Sequence, residues 1–496
     1  MWGDARACVF GVLTLTLAGC LPDNPAGWTE TANDSSEDTT QTTGGTGGEV
    51  AGMLGCPAGE ICPLVFVAQT LDDRIEVFAP RHAPAFRGTI NLDLNPGTST
   101  MGTSATLDEP YGMSLSGGFL HVIAGHYPTR TAGSMVSFPV SFLSGYDPGD
   151  TVAVTDYFNG GAFSPPVQWS NFGELEPIFM YEHDVQGRLL IGTFNNNLFS
   201  TEDTWTGVGK LIVAEANDPT NFATAELSGL VGGDCLGAAQ IVLIDDETNQ
   251  AAVACDGNEA VALLNLGDIG TGSVDAAAAA ISGTLCEIIG PRNDKRVRYV
   301  APDGVNGALV TYGPGAELLD DGSVWRVGPG CPAGDLSAEI GTGGTAQLGQ
   351  IIPFLTGYWL VASGSGLAGA QRDVFVLRGG SRLEVCGSIG GFESAWDTQL
   401  ADVYADPVAL ALTADGTGLI VGAAPPSNKA DDQRALGKVL WAELPSDPDD
   451  PCSMTATSVT DLTDGVGDHA LAADPADQAT WRRGPNVVVI AEVLGG

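Results

Sequence analysis

Positive charge is what this sequence has least of. Lys and Arg together number 20 against 61 Asp and Glu, a formal net charge of −41. Nucleic acids and anionic headgroups are held by clustered cations, so such a surface excludes nucleic acid as a partner. Histidine is scarce too, with only His82, His121, His126, His183 and His469. No HExxH, GxSxG, P-loop or EF-hand pattern occurs, which removes the motif-defined zinc proteases, α/β-hydrolases, NTPases and calcium sensors. His121 and His126 flank one apolar run at odd spacing, so they are expected on opposite faces of a strand and not to chelate together. His183-Asp184 is expected in a turn. Long apolar runs are also missing: beyond the N-terminus, nothing approaches the length of a membrane-spanning helix.

Glycine and proline are abundant, at 68 and 29 residues, and they punctuate short apolar runs. That pattern predicts many turns and many strands. No convincing amphipathic helix interrupts the series.

Residues 7–19 form a thirteen-residue apolar stretch, too short to span a bilayer but suited to the core of a signal peptide. It ends in Leu17-Ala18-Gly19-Cys20, which resembles the lipobox of bacterial lipoproteins. The resemblance implies a signal peptide over 1–19, lipid on the Cys20 thiol, and attachment to a membrane through that lipid. Leu21 stands where that family's inner-membrane retention signal has Asp, which implies the outer membrane, on its periplasmic or cell-surface side. Residues 20–55 are dominated by Thr, Ser, Gly, Asp and Glu, cannot bury enough surface to order themselves, and read as a disordered tether.

Beyond Cys8 and Cys20, eight cysteines remain: Cys56, Cys62, Cys235, Cys255, Cys286, Cys331, Cys386 and Cys452. An even number in an exported chain implies disulfides. Pairing sequence neighbours gives 56–62, 235–255, 286–331 and 386–452, although spacing alone leaves the connectivity open. No CxxC pair or adjacent histidine marks a zinc site.

From residue 56 to 496 a unit recurs: an acidic or polar residue, often before Pro, then three short apolar strands separated by turns. Clear copies begin at Glu109-Pro110, Glu176-Pro177 and Asp406-Pro407, and weaker ones near Gly237, Asp294 and Ile352. Second strands are expected over 119–125, 189–194, 251–255, 308–312, 358–363 and 419–424. Third strands are expected over 135–140, 210–215, 260–266, 323–327, 373–377 and 438–444. The ends of the chain complement each other. Residues 64–78 supply second and third strands without a first, and 484–493 supply a first strand with nothing after it. Joining them closes a seventh blade and removes exposed sheet edges. The expectation is an all-β, seven-bladed β-propeller, with six or eight blades or a two-domain β-sandwich as alternatives. The strand pattern resembles seven-bladed propellers of the YVTN/NHL-like class.

If first strands line the channel, Glu109, Glu176, Asp234, Asp294 and Asp406 gather at one mouth. Converging carboxylates are suited to Ca²⁺, a hard cation that takes six to eight oxygens. Propeller hydrolases of the lactonase and gluconolactonase type hold an axial divalent metal, and the likeness to them is architectural. Glu-Pro and Asp-Pro equally serve as turn formers before a strand. Gly364-Ser365-Gly366-Leu367-Ala368-Gly369 fits GxGxxG, yet the apolar run after it reads as a strand and not the helix a dinucleotide needs, so it is read as a hairpin loop. Long connections over 127–134, 195–209 and 425–437, with Asn195-Asn196-Asn197 and Trp205, offer groups for a carbohydrate or protein ligand. The reading favoured is an envelope lipoprotein whose propeller is a binding or scaffold module. A metal-dependent, lactonase-like hydrolase is the alternative, disfavoured because so few histidines assemble no catalytic set.

Overall fold

The computed structural model describes residues 52–69, 74–92, 110–124, 133–159, 162–173, 177–183, 187–193, 208–245, 248–288, 295–314, 322–328, 330–331, 338–340, 347–364, 373–380, 382–392, 406–424, 437–446, 448–463 and 485–494. Cys20 and the tether ahead of residue 52 lie outside them. The short apolar runs pair into seven antiparallel sheets of four or five strands, the blades of a propeller. Their innermost strands are Pro485–Leu494, Pro110–Ser116, Pro177–His183, Ala238–Asp245, Lys295–Pro302, Gln347–Pro353 and Asp406–Leu412, for blades one to seven. Each packs against the next, and the seventh returns to the first, so the ring is closed.

Closure takes the form that the chain ends prescribe. Strand Ile61–Gln69 lies between Pro485–Leu494 and Arg74–Phe78, in register from Ile61 opposite Leu494 to Ala68 opposite Val487, with a shift before Gln69 opposite Pro485. Apart from Ile61 every residue of that strand is buried, which is why it reads as a continuous apolar run. Leu64 and Phe66 pack toward the second blade while Val65 and Val67 pack toward the seventh. Full burial of each such side chain is worth about 1.5–3 kcal/mol. Packing already includes Met53, ahead of Cys56.

Second and third strands fall where the pattern expects, for instance Arg188–Thr193 beside Lys210–Glu215 and Gly418–Ala424 beside Lys438–Glu443. Tyr358–Gly364 pairs with Asp373–Arg378, so the GxGxxG segment joins two antiparallel strands. Two features depart from the regular repeat. Short helices occur at Leu227–Val231 and Val274–Ala280, the second capped by Ser273 Oγ accepting from the Ala276 amide. The second blade also carries a detour between its third strand, Ser134–Pro139, and its fourth, Gln168–Asn171. Part of it, Thr151–Ala153, adds in parallel to the outer edge of the first blade.

The four disulfides join sequence neighbours: Cys56–Cys62, Cys235–Cys255, Cys286–Cys331 and Cys386–Cys452. No helix among the described residues is long and apolar enough to cross a membrane.

Candidate functional site

The registers sort every connection onto one of two faces. In each blade the head of the first strand lies beside the end of the second: Pro110 opposite Ala124, Pro177 opposite Thr193, Lys295 opposite Pro314, Asp406 opposite Ala424. The heads of the first strands therefore share one face, here the crown, with the ends of the second strands and the starts of the third. First-to-second turns and third-to-fourth connections lie on the opposite face, the base. The chain enters at the base too, since Ile61 is level with Leu494.

Glu109, Glu176 and Asp294 lie outside the described residues, but Pro110, Pro177 and Lys295, which follow them, all stand at the crown ends of inner strands. Asp406 itself heads the inner strand of blade seven. Asp234 is exposed, and its carbonyl accepts from the Asn258 side chain. Neighbouring Leu236 bridges to Val208, beside the third strand of blade three, so Asp234 stands away from the channel wall. Asn195, Trp205 and the long crown connections, like His126, Asp184 and His469, lie outside the described residues. His183 is the last residue of its strand, paired with Arg188.

Inner strands break register near their crown ends, which frees backbone groups toward the neighbouring blade. Two glutamines take these up. Gln240 Oε1 accepts from the Val300 amide at 2.9 Å, and Gln350 Oε1 accepts from the Leu410 amide at 2.9 Å. Each reaches 60 residues ahead, one blade further on. Between blades six and seven the fit is tight: a Cβ on Gly349 would lie 2.7 Å from the Val408 Cα.

In five of the blades the third-to-fourth connection holds the preceding blade. In blade three, Pro219 accepts from Ser170 Oγ of blade two at 2.6 Å. In blade four, the carbonyls of Ile269 and Gly272 accept from Arg188 of blade three at 3.0 and 2.9 Å. Blades five and seven use covalent bonds, Cys331 to Cys286 and Cys452 to Cys386.

Blade one uses Arg81. Its Nε and Nη2 donate to the two carboxylate oxygens of Glu443 at 2.9 Å each, and Nη2 also donates to Thr417 Oγ1 at 2.8 Å. The guanidinium lies 5.4 Å from the Trp441 ring centroid. Trp441 Nε1 donates to the same carboxylate at 2.7 Å. Burial pushes the Glu443 carboxyl up, but the hydrogen bonds from Arg81 and Trp441 and the Arg81 charge outweigh it, and the net shift is downward. The Glu443 hydrogen bond holds Arg81 above its ordinary value.

Beside Arg81 the base brings together a set the sequence did not announce. His82 Nε2 lies 2.9 Å from Cys62 Sγ, and donor atoms of Cys56, Cys62 and His82 all fall within 4.8 Å of one another. The expectation that no histidine accompanies these cysteines is corrected here, because strand pairing closes a gap of 20 residues.

His121 is buried completely between blades two and three, with Nδ1 2.7 Å from Ser137 Oγ. Burial lowers its pKa to about 4, so the ring is neutral at neutral pH. It is a core imidazole, remote from either face.

No family model matches the chain, and no curated protein matches it. Among solved structures, a putative 6-phosphogluconolactonase from Bacteroides uniformis is 10% identical, with 87% of this chain and 99% of that one covered and a TM-score of 0.46. The periplasmic gluconolactonase PpgL of Pseudomonas aeruginosa is 10% identical over 88% of this chain and 100% of its own, at a TM-score of 0.46. Apo AztD from Citrobacter koseri is 12% identical over 88% and 100%, at a TM-score of 0.42. Likenesses at this level carry no activity over to this chain.

Proposed function

We propose that the protein is a lipid-anchored envelope module that binds a protein or carbohydrate ligand through the crown of its propeller. One observation supports this reading above the others: the chain enters the ring at the base, while the heads of the inner strands share the opposite face with the strand ends that flank the long second-to-third connections. A tether rising from a lipid on Cys20 reaches the base first. The crown is then turned away from the membrane, where loops on a rigid scaffold meet ligands.

The orientation is testable in vesicles. The lipid-bearing protein is labelled with a fluorophore through a short peptide tag placed either in the 425–437 connection or at the Gly117-Gly118 turn. Spin-labelled lipid headgroups should quench the turn label more than the crown label. Equal quenching, or quenching confined to the crown, would remove this reading, as would Cys20→Ala protein that stays with the membrane.

A divalent-metal hydrolase of the lactonase type is the second reading. It draws support from the register that sets residues 110, 177, 295 and 406 at one end of the channel, next to or at four of the acids. Ca²⁺ would then raise the melting temperature of the protein, and Glu176→Gln with Asp406→Asn would abolish the rise. An unchanged melt across a Ca²⁺ and Mg²⁺ titration would eliminate it.

A further inference from the structure

Of the four disulfides, Cys56–Cys62 is the one with an ionisable side chain against its sulfur among the described residues. The Sγ atoms of Cys255, Cys331 and Cys56 lie near backbone carbonyls, those of Val253, Leu285 and Glu60. Cys62 instead has the His82 imidazole 2.9 Å away. The three residues differ in how firmly they are held. Cys62 is fully buried in strand Ile61–Gln69, opposite Val493, and the His82 amide donates to the Ala79 carbonyl at 3.1 Å. Cys56 is half-buried, outside any strand, on the segment leading into the ring. Under that segment lies Arg87, completely buried, its Nη2 donating to the Gly55 carbonyl at 3.2 Å. Its Nε and Nη1 have no acceptor among the described residues.

We propose that Cys56, Cys62 and His82 form a redox-gated site for one thiophilic d¹⁰ cation of the Zn²⁺ type. In the oxidised state the sulfurs are bonded to each other and the site is shut. A dithiol reductant supplies two electrons and two protons, becoming a disulfide itself, and the Cys56–Cys62 bond is replaced by two thiols. Both thiols lose their protons to solvent as the cation binds, giving two thiolate ligands and a neutral imidazole as the third. Cys56, free of any strand, makes the adjustment that opens the sulfurs to the width of an ion. Three protein ligands leave a fourth position open, so the site suits sensing or transfer of a cation better than permanent structural use. Its place, where the chain enters the ring, puts the redox state of the envelope in contact with the foot of the molecule.

The test is a Cd²⁺ titration of the full chain, reduced with a phosphine and freed of it under argon, reading thiolate-to-cadmium absorbance. Reduced wild-type chain should bind one more ion than the Cys56→Ser/Cys62→Ser chain reduced in the same way, whose other three thiol pairs supply the background. Oxidised protein should bind none, and His82→Ala should hold the additional ion more weakly. Equal numbers of ions in the wild-type and double-serine chains, an additional ion held with equal affinity in His82→Ala, or equal binding by the oxidised chain would overturn the proposal. Should the double variant fail to fold, Cd²⁺ protection of Cys56 and Cys62 from alkylation in the reduced wild-type chain reads the same site. Equal alkylation with and without the ion would refute it.

Discussion

The joint between blades six and seven and the joint between blades seven and one are gripped by the same element in different chemistry. In both, a third-to-fourth connection at the base reaches back to the blade before it. At the first joint the grip is the Cys386–Cys452 disulfide; at the second it is the Arg81 fork on Glu443. The covalent grip lies where the chain simply runs on from blade to blade. The reversible one lies where the two chain ends meet, since Arg81 belongs to the N-terminal strands and Glu443 to the last blade. Only Pro485–Leu494 in blade one follows blade seven directly in sequence. The N-terminal strands are held to the seventh blade by packing around Phe78 and Trp441 and by Arg81. The closing blade is therefore where the ring is expected to open first.

Removing the covalent grip should have the larger effect. Cys386 and Cys452 are 66 residues apart, and a cross-link of that span restricts the unfolded chain by about 4 kcal/mol. Cys386→Ser/Cys452→Ser should lose close to that amount in denaturant titrations, without loosening the closing blade in native hydrogen exchange. Early exchange at Ile61–Gln69 in this variant would show that the two joints are coupled rather than independent.

A third joint, between blades two and three, carries neither device and buries His121. Its folded pKa of about 4 lies below the ordinary 6.5, so the unfolded chain takes up the proton first as pH falls. Stability is then fully present above pH 6.5 and is lost as pH drops toward 4, by about 3 kcal/mol. His121→Gln should lack this portion of the acid sensitivity. A variant with the same pH slope as wild type would show that the proton goes elsewhere.

These joints also mark what the sequence could disclose. Strand positions and ring closure were legible because burial on both faces writes itself as apolar runs, as in Leu64-Val65-Phe66-Val67, and because the unmatched ends had to complete one blade. The disulfide pairs were legible as neighbours, though only the fold fixes them. Gln240 and Gln350 left a signal that was there to be found: each stands 60 residues before the amide it caps, in Gln-Ile-Val and Gln-Ile-Ile contexts. The detour of blade two left one as well, in the 67-residue step from Glu109 to Glu176. Arg81 with Glu443 and His82 with Cys62 left none, because contacts across 362 and 20 residues depend on which connection lies on which face. The spacing of Glu109, Glu176, Asp294 and Asp406 shows the converse. It is plain in the sequence because an acid precedes or heads an apolar run, and the register adds that residues 110, 177, 295 and 406 stand at the same end of the inner strands.

The smallest effect should come from Arg81→Lys, and it is the most informative about closure. Lysine keeps the charge but not the planar fork, so it cannot serve both Glu443 oxygens and Thr417 together. With Arg81 and Glu443 each nearly a third exposed, the loss should be about 1 kcal/mol. Its pH dependence separates a true ion-pair grip from mere packing. Glu443 titrates below its ordinary value in the folded chain, so its contribution is present above the unfolded pKa and is lost as pH falls through the folded one. The gap between wild type and Arg81→Lys should therefore be full at neutral pH and shrink once Glu443 protonates. Raised salt should narrow it as well. A gap indifferent to both would assign the clamp to the stacking of Arg81 on Trp441, and the closing joint would then be held by packing, with no ionic component to release.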